Sequence, residues 1–152
     1  MAVQELIQPI RNLSKLSELK NDQLLEIAEK AGDKFKQIDI TSSKIRKFQS
    51  QIVQLFHRSK TDPAFDPSAV RLLKYHLAYA AAREMKDGRS WFLDFKDFFD
   101  AALDKVKDQQ DIDKLRHLYD ATLSYHAYAK EKANLENREN RMQGRGLNRY
   151  GR

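Results

Sequence analysis

Four histidines, twenty-two carboxylates and no cysteine make up the reactive inventory of this 152-residue chain. Without cysteine there is no disulfide, no thiolate nucleophile and no cysteine-ligated zinc. His57, His76, His117 and His126 fall in three separate helical stretches, and neither an HExxH pattern nor a Glu-x-x-His pair frames them. His117 and Asp120, three residues apart, could form one edge of a metal site, but a hydrogen bond on a helix surface is the simpler reading. The carboxylate pairs Asp97/Asp100 and Asp111/Asp113 have no apolar setting or glycine-rich loop beside them, so general acid–base work is unsupported. Gly32 and Gly88 read as helix stops, not as parts of a phosphate loop. The expectation is a protein that is not an enzyme and needs no metal and no cofactor.

The cations carry a stronger signal. From Thr41 to Lys60 there are five basic residues and no acidic one, in a chain whose net charge is +6. Wound as a helix, Ile45, Phe48, Ile52, Leu55 and Phe56 form one stripe. Lys47, Gln51, Gln54 and Arg58 lie opposite, with Lys44 and Arg46 on the flanks. In the next helical stretch Tyr75, Tyr79 and Arg83 stand four apart, on one line. Phosphates are met by cations that displace condensed counterions, and unpaired bases by flat side chains that stack. The candidate nucleic-acid-binding residues are therefore Lys44, Arg46, Lys47, Arg58, Lys74, Arg83, Lys86 and Arg89. Tyr75 and Tyr79 could stack, although a tyrosine in an alanine-rich helix more ordinarily fills a core. No zinc finger, aromatic RNA-recognition strand or helix-turn-helix spacing is present, so recognition is expected to ignore base sequence.

These side chains must be held by helices. Charged residues make up 33% and hydrophobic ones 41% of a chain long enough for a single domain with a real core. Few Gly and Pro, and apolar spacings of three and four throughout, predict an all-α fold, a compact bundle of about five helices. Residues 1–20 read as a short helical turn and connector. An amphipathic helix then runs from Asn21 to about Gly32, followed by a loop from Lys34 to Ile40. The basic helix, capped by Thr41 or Ser42, ends where TDPAFDP begins. Ser68 opens the next, with Val70, Leu73, Leu77, Ala80 and Ala81 inward, and Asp87-Gly88 closes it. Ser90 caps a helix that buries Phe92, Phe95, Phe98, Phe99, Ala102 and Val106 and turns Asp94, Asp97, Asp100 and Asp104 to solvent. A long helix from Asp111 buries Ile112, Leu115, Leu118 or Tyr119, Thr122, Tyr125 or His126, and Ala129. Residues 1–137 form the helical-bundle domain, and 138–152, with five Arg and one Glu, a flexible basic C-terminal tail able to order on nucleic acid. No stretch near twenty apolar residues and no secretory leader is present, so no membrane contact and a cytoplasmic location are expected.

The succession of SSKIRKFQSQI, VRLLKYHLAYAAARE, an acidic Phe-rich helix and a closing LYDATLSYHAYAKEKA resembles the small helical subunit of the type III-A CRISPR effector, the Csm complex. The resemblance covers roughly Ser42 to Lys132; its marks are K-I-R-K-F, L-A-Y-A-A-x-R and the closing Tyr-His-x-Tyr. Ala82 stands where that family often has glycine, and the tail after Asn137 has no counterpart. The resemblance implies a non-catalytic subunit of antiviral defence, several copies of which stack along backbone subunits that hold the guide. It implies crRNA, target RNA, the backbone and large Csm subunits and copies of itself as partners. Lys44, Arg46, Lys47, Arg83, Lys86 and Arg89 would contact phosphates of the guide–target duplex. The alternatives are the small subunit of the type III-B effector and a helical protein–protein interaction module with a basic face.

Overall fold

A computed structural model describes residues 2–36, 43–88 and 91–150; for 43–46, 91 and 146–150 it describes the backbone alone. The described residues form six α-helices and no strand: α1 (Val3–Arg11), α2 (Asn21–Lys34), α3 (Ser43–Thr61), α4 (Leu73–Lys86), α5 (Trp91–Asp104) and α6 (Gln109–Tyr150). Two 3-10 turns, Leu16–Glu18 and Pro67–Leu72, complete the order. The all-α bundle expected from the apolar spacing is what forms.

Helix α5 is the axis of the core because its aromatics recur on more than one side. Phe92, Phe95, Phe98, Phe99 and Ala102 are all buried, and α1 and α4 pack against this helix. Each fully buried phenylalanine contributes about 1.5–3 kcal/mol of transfer free energy. Around Phe99 the rings meet edge-on or tilted: Phe98 at 4.9 Å, Tyr119 of α6 at 5.1 Å and Phe48 of α3 at 6.1 Å between centroids. Burial pushes the Tyr119 hydroxyl well above the usual phenol range.

Two expectations are corrected at the N-terminal end. The first residues are a true core helix: Val3, Leu6, Ile7 and Ile10 of α1 are buried, with Pro9 inside the helix and exposed. The stretch from Lys34 is not simply a loop. Lys34 is the last residue of α2 and pairs with Asp94 of α5 at 3.4 Å, and Phe35, 2% exposed, meets Phe95 and Phe98 at 5.6 and 5.7 Å. Thr41, Ser42 and Ser90, expected as helix caps, lie outside the described residues.

The junction between α5 and α6 is fastened by carboxylates. Asp108 precedes α6 and accepts from the Asp111 N–H at 3.0 Å, while Asp111 accepts from the Asp108 N–H at 3.1 Å, a reciprocal cap. Asp111 is fully buried and also takes the N–H groups of Ser17 at 2.7 Å and Lys107 at 2.8 Å. It thus ties the first 3-10 turn to the start of the last helix, helped by the Leu16 N–H donating to the Lys105 carbonyl at 2.9 Å. At the other loop Asp66 accepts from the Ser68 N–H at 2.9 Å and from its hydroxyl at 2.7 Å. That turn forms a 3-10 segment first, and α4 begins only at Leu73. Helix α6 packs along α2 and then continues as helix to Tyr150, where an irregular arm is expected from the sequence.

Candidate nucleic-acid interface

Helices α3 and α4 lie side by side and bring part of the predicted cationic set together. Phe48 and Ile52 anchor α3 in the core, with Leu55 and Phe56 half-buried, which turns Lys47, Gln54 and Arg58 outward. Leu73, Leu77 and Ala81 anchor α4, leaving Leu72, Tyr75, Tyr79, Arg83 and Lys86 on its exposed side. Tyr79 is 66% exposed and Tyr75 60%, so the core-filling reading of Tyr79 is wrong. Leu77 and Ala81 already fill that interior, and Tyr79 lies on the other side of the helix.

Among the described residues, Lys47, Arg83 and Lys86 have no carboxylate partner. The Arg83 guanidinium sits 5.8 Å from the Tyr79 ring centre, and Arg58 lies 5.4 Å from that of Phe65. Lys74 differs from these: its ammonium is 2.6 Å from Asp104 of α5. Lys44 and Arg46 belong to α3, but their side chains, like all of Arg89, lie outside the described residues.

Lys47 and Arg83, both exposed, are among the residues lining a cavity of about 210 Å³ between α3 and α4, floored by α5. Phe48, Leu77, Phe92 and Phe95 form its apolar wall. Gln51 and His76 add a polar side, with the amide nitrogen 3.4 Å from the imidazole Nε2. The His76 ring also lies 4.1 Å from Tyr75, tilted by 34°. Sequence reasoning weighed His76 only as a metal ligand and Gln51 only as an outward amide. Their meeting depends on how α3 is rotated against α4, which no spacing within either helix encodes.

The carboxylates offer little chemistry. Asp111, expected without a buried setting, is fully buried, but its oxygens accept from three backbone N–H groups. Asp100 takes Lys96 at 2.5 Å, and Asp94 and Asp104 take lysines of α2 and α4. The acidic side of α5 is thus partly stitched to its neighbours and not simply solvated. No group of three or more metal-ligating side chains occurs among the described residues.

Fold and surface together define a small helical protein that turns an unpaired cationic and aromatic surface outward from two adjacent helices. A family model described as Csm2 Type III-A matches residues 18–132, three quarters of the chain, and the chain belongs to that family. It is a small subunit of the type III-A Csm effector, and the match decides against the type III-B alternative. The family begins at residue 18, well before the motifs starting at Ser42, so α2 is part of it. No curated protein and no solved structure matches the chain.

Proposed function

We propose that this subunit binds the crRNA and target RNA backbone without sequence preference, stacks in several copies beside the backbone and large Csm subunits, and performs no catalysis. The observation that carries the reading is the group of Lys47, Arg83 and Lys86, cations without carboxylate partners among the described residues, beside exposed Tyr75 and Tyr79. A charge left unmatched within the fold is available to a phosphate; one already paired is not. Lys44, Arg46, Arg58 and Arg89 complete the proposed contact set; Lys74, also expected there, would have to give up Asp104 to join it. Many modest contacts, repeated from copy to copy, sum along a strand and remain indifferent to its sequence.

A non-catalytic role is supported by the engagement of the fully buried Asp111 with three backbone N–H groups, a structural use of that carboxylate. A cytoplasmic location belongs to the same reading; among the described residues no helix is long and apolar enough to cross a membrane. The test is binding of a labelled single-stranded RNA and an RNA duplex across a salt series by the wild-type chain and a Lys47→Ala, Arg83→Ala, Lys86→Ala variant. Affinity should fall with salt, with a slope reduced by about one unit per lost contact. Salt-independent binding, or a variant with an unchanged slope, would rule the face out.

A further inference from the structure

We propose that the cavity between α3 and α4 receives one unpaired base of the bound RNA, a site that deepens the backbone-binding reading and rests on it. A nucleobase has two apolar faces and a polar edge, and it arrives attached to a phosphate. The cavity offers a counterpart to each. Phe48, Leu77, Phe92 and Phe95 present apolar wall to the faces. The Gln51 amide, donor and acceptor at once, stands 3.4 Å from His76 and forms with it a polar strip for the edge. Lys47 and Arg83 also line it and are exposed, two cations for the phosphate of an inserted nucleotide, and the exposed Tyr79 ring adds aromatic surface beside Arg83.

Size narrows the occupant. At about 210 Å³ the cavity is below the 300–1,000 Å³ usual for drug-sized ligands, which suits a single planar ring system and excludes a base pair. An acyl chain would cover the polar amide and imidazole without bonding to them and gain nothing from the two lining cations. A base must leave its stack to enter, so single strands qualify and continuous duplexes do not. Gln51 and His76 offer side-chain groups able to rotate or change tautomer, so the site is expected to accept purines and pyrimidines alike.

The experiment uses the full chain with a uridine heptamer carrying 2-aminopurine at its centre, alongside an unlabelled RNA duplex. Emission from 2-aminopurine should change and saturate with binding. The variant Ala80→Phe, which fills the cavity from α4 without altering charge, should remove that change and weaken single-strand binding about tenfold, the equivalent of one lost stacking contact. Duplex affinity should stay within twofold. The variant Gln51→Leu, which removes the amide and keeps the bulk, should give the same split and serves if Ala80→Phe does not fold. A folded variant that binds the single strand as the wild type does, or retains the emission change, overturns the site while leaving backbone binding standing. Failure of the wild-type chain to bind either RNA overturns the backbone reading and the site with it.

Discussion

Gly32 of α2 abuts the backbone of His126 on α6: a Cβ at Gly32 would lie 2.6 Å from the His126 nitrogen. The two helices cross here at a separation that only a residue without a side chain permits, and the rest of α2 docks along α6 around this point. Gly32→Ala should therefore destabilise the fold by about 1–3 kcal/mol, as overpacking does, despite alanine's better helix propensity. Urea denaturation of the two proteins measures it. Equal midpoints would mean that the helices part without cost.

Phe99 is the hub of the aromatic core, with no solvent exposure and ring contacts to Phe95, Phe98, Phe48 and Tyr119. Phe99→Ala should cost about 3–5 kcal/mol, whereas Phe65→Ala, on the half-buried turn before α4, should cost much less. The comparison reads whether α3, α5 and α6 share one cooperative core.

Asp108 supplies a pH dependence with a definite sign. Its hydrogen bond from Lys15 holds its carboxyl below the usual range, and the same contact raises the Lys15 ammonium. A depressed carboxyl stabilises the fold above its unfolded value, about pH 4, and that contribution is lost as pH falls through the folded value. The raised lysine contributes below its unfolded value, about pH 10.4, and its share is lost at higher pH. Asp108→Asn keeps a competent helix cap and removes the ion pair. The variant should be the less stable at pH 6, and the gap should narrow steadily as pH falls below about 4. A gap that does not narrow at all on acidification would trace the loss to the cap.

Lys74 provides the internal control for the RNA face. Its side chain is held by Asp104, whereas Lys47 has no carboxylate partner among the described residues. Lys74→Ala should leave the salt slope of RNA binding nearly unchanged, and Lys47→Ala should lower it by about one unit. Equal effects would show that net charge, not placement, governs the binding.

Residues 138–145 are exposed throughout, so their removal should not touch the core. A chain ending at Asn137 should melt within the range of ordinary surface changes, about 0.5 kcal/mol. A larger loss would make the arginine-bearing end part of the folded domain.

Much of this fold is legible from apolar spacing because each helix has to hide a stripe. The phenylalanines of α5 and the Ile112–Leu115–Leu118–Thr122 line of α6 are buried as that spacing demands. Helix α1 carries the same signature in Val3, Leu6, Ile7 and Ile10, but Pro9, Ser14 and Ser17 among the first twenty residues read as a connector. Pro9 nevertheless lies inside α1 with its ring exposed, and the burial of Val3, Leu6, Ile7 and Ile10 outweighs the one intrahelical hydrogen bond it cannot make. Gly32 was legible as a glycine, not as a crossing point, since its reason lies on a helix more than ninety residues away. Tyr79 shows the same limit: its neighbours in sequence suggested a gap to fill, and the packing of α4 left none. Cationic residue types were visible, but which of them keep their charge unpaired depends on α5, through Asp104.

Helix α6 has 42 residues, about 63 Å of rod at 1.5 Å per residue. Among its described side chains the last buried one is His126, so more than half of that length lies beyond the deepest packing. Such a rod is a lever. A tilt of the bundle by roughly ten degrees would sweep its tip through roughly 6 Å, a little more than the height of one helical turn. Slight differences in how the body seats would then reach whatever meets the far end as a full step of register.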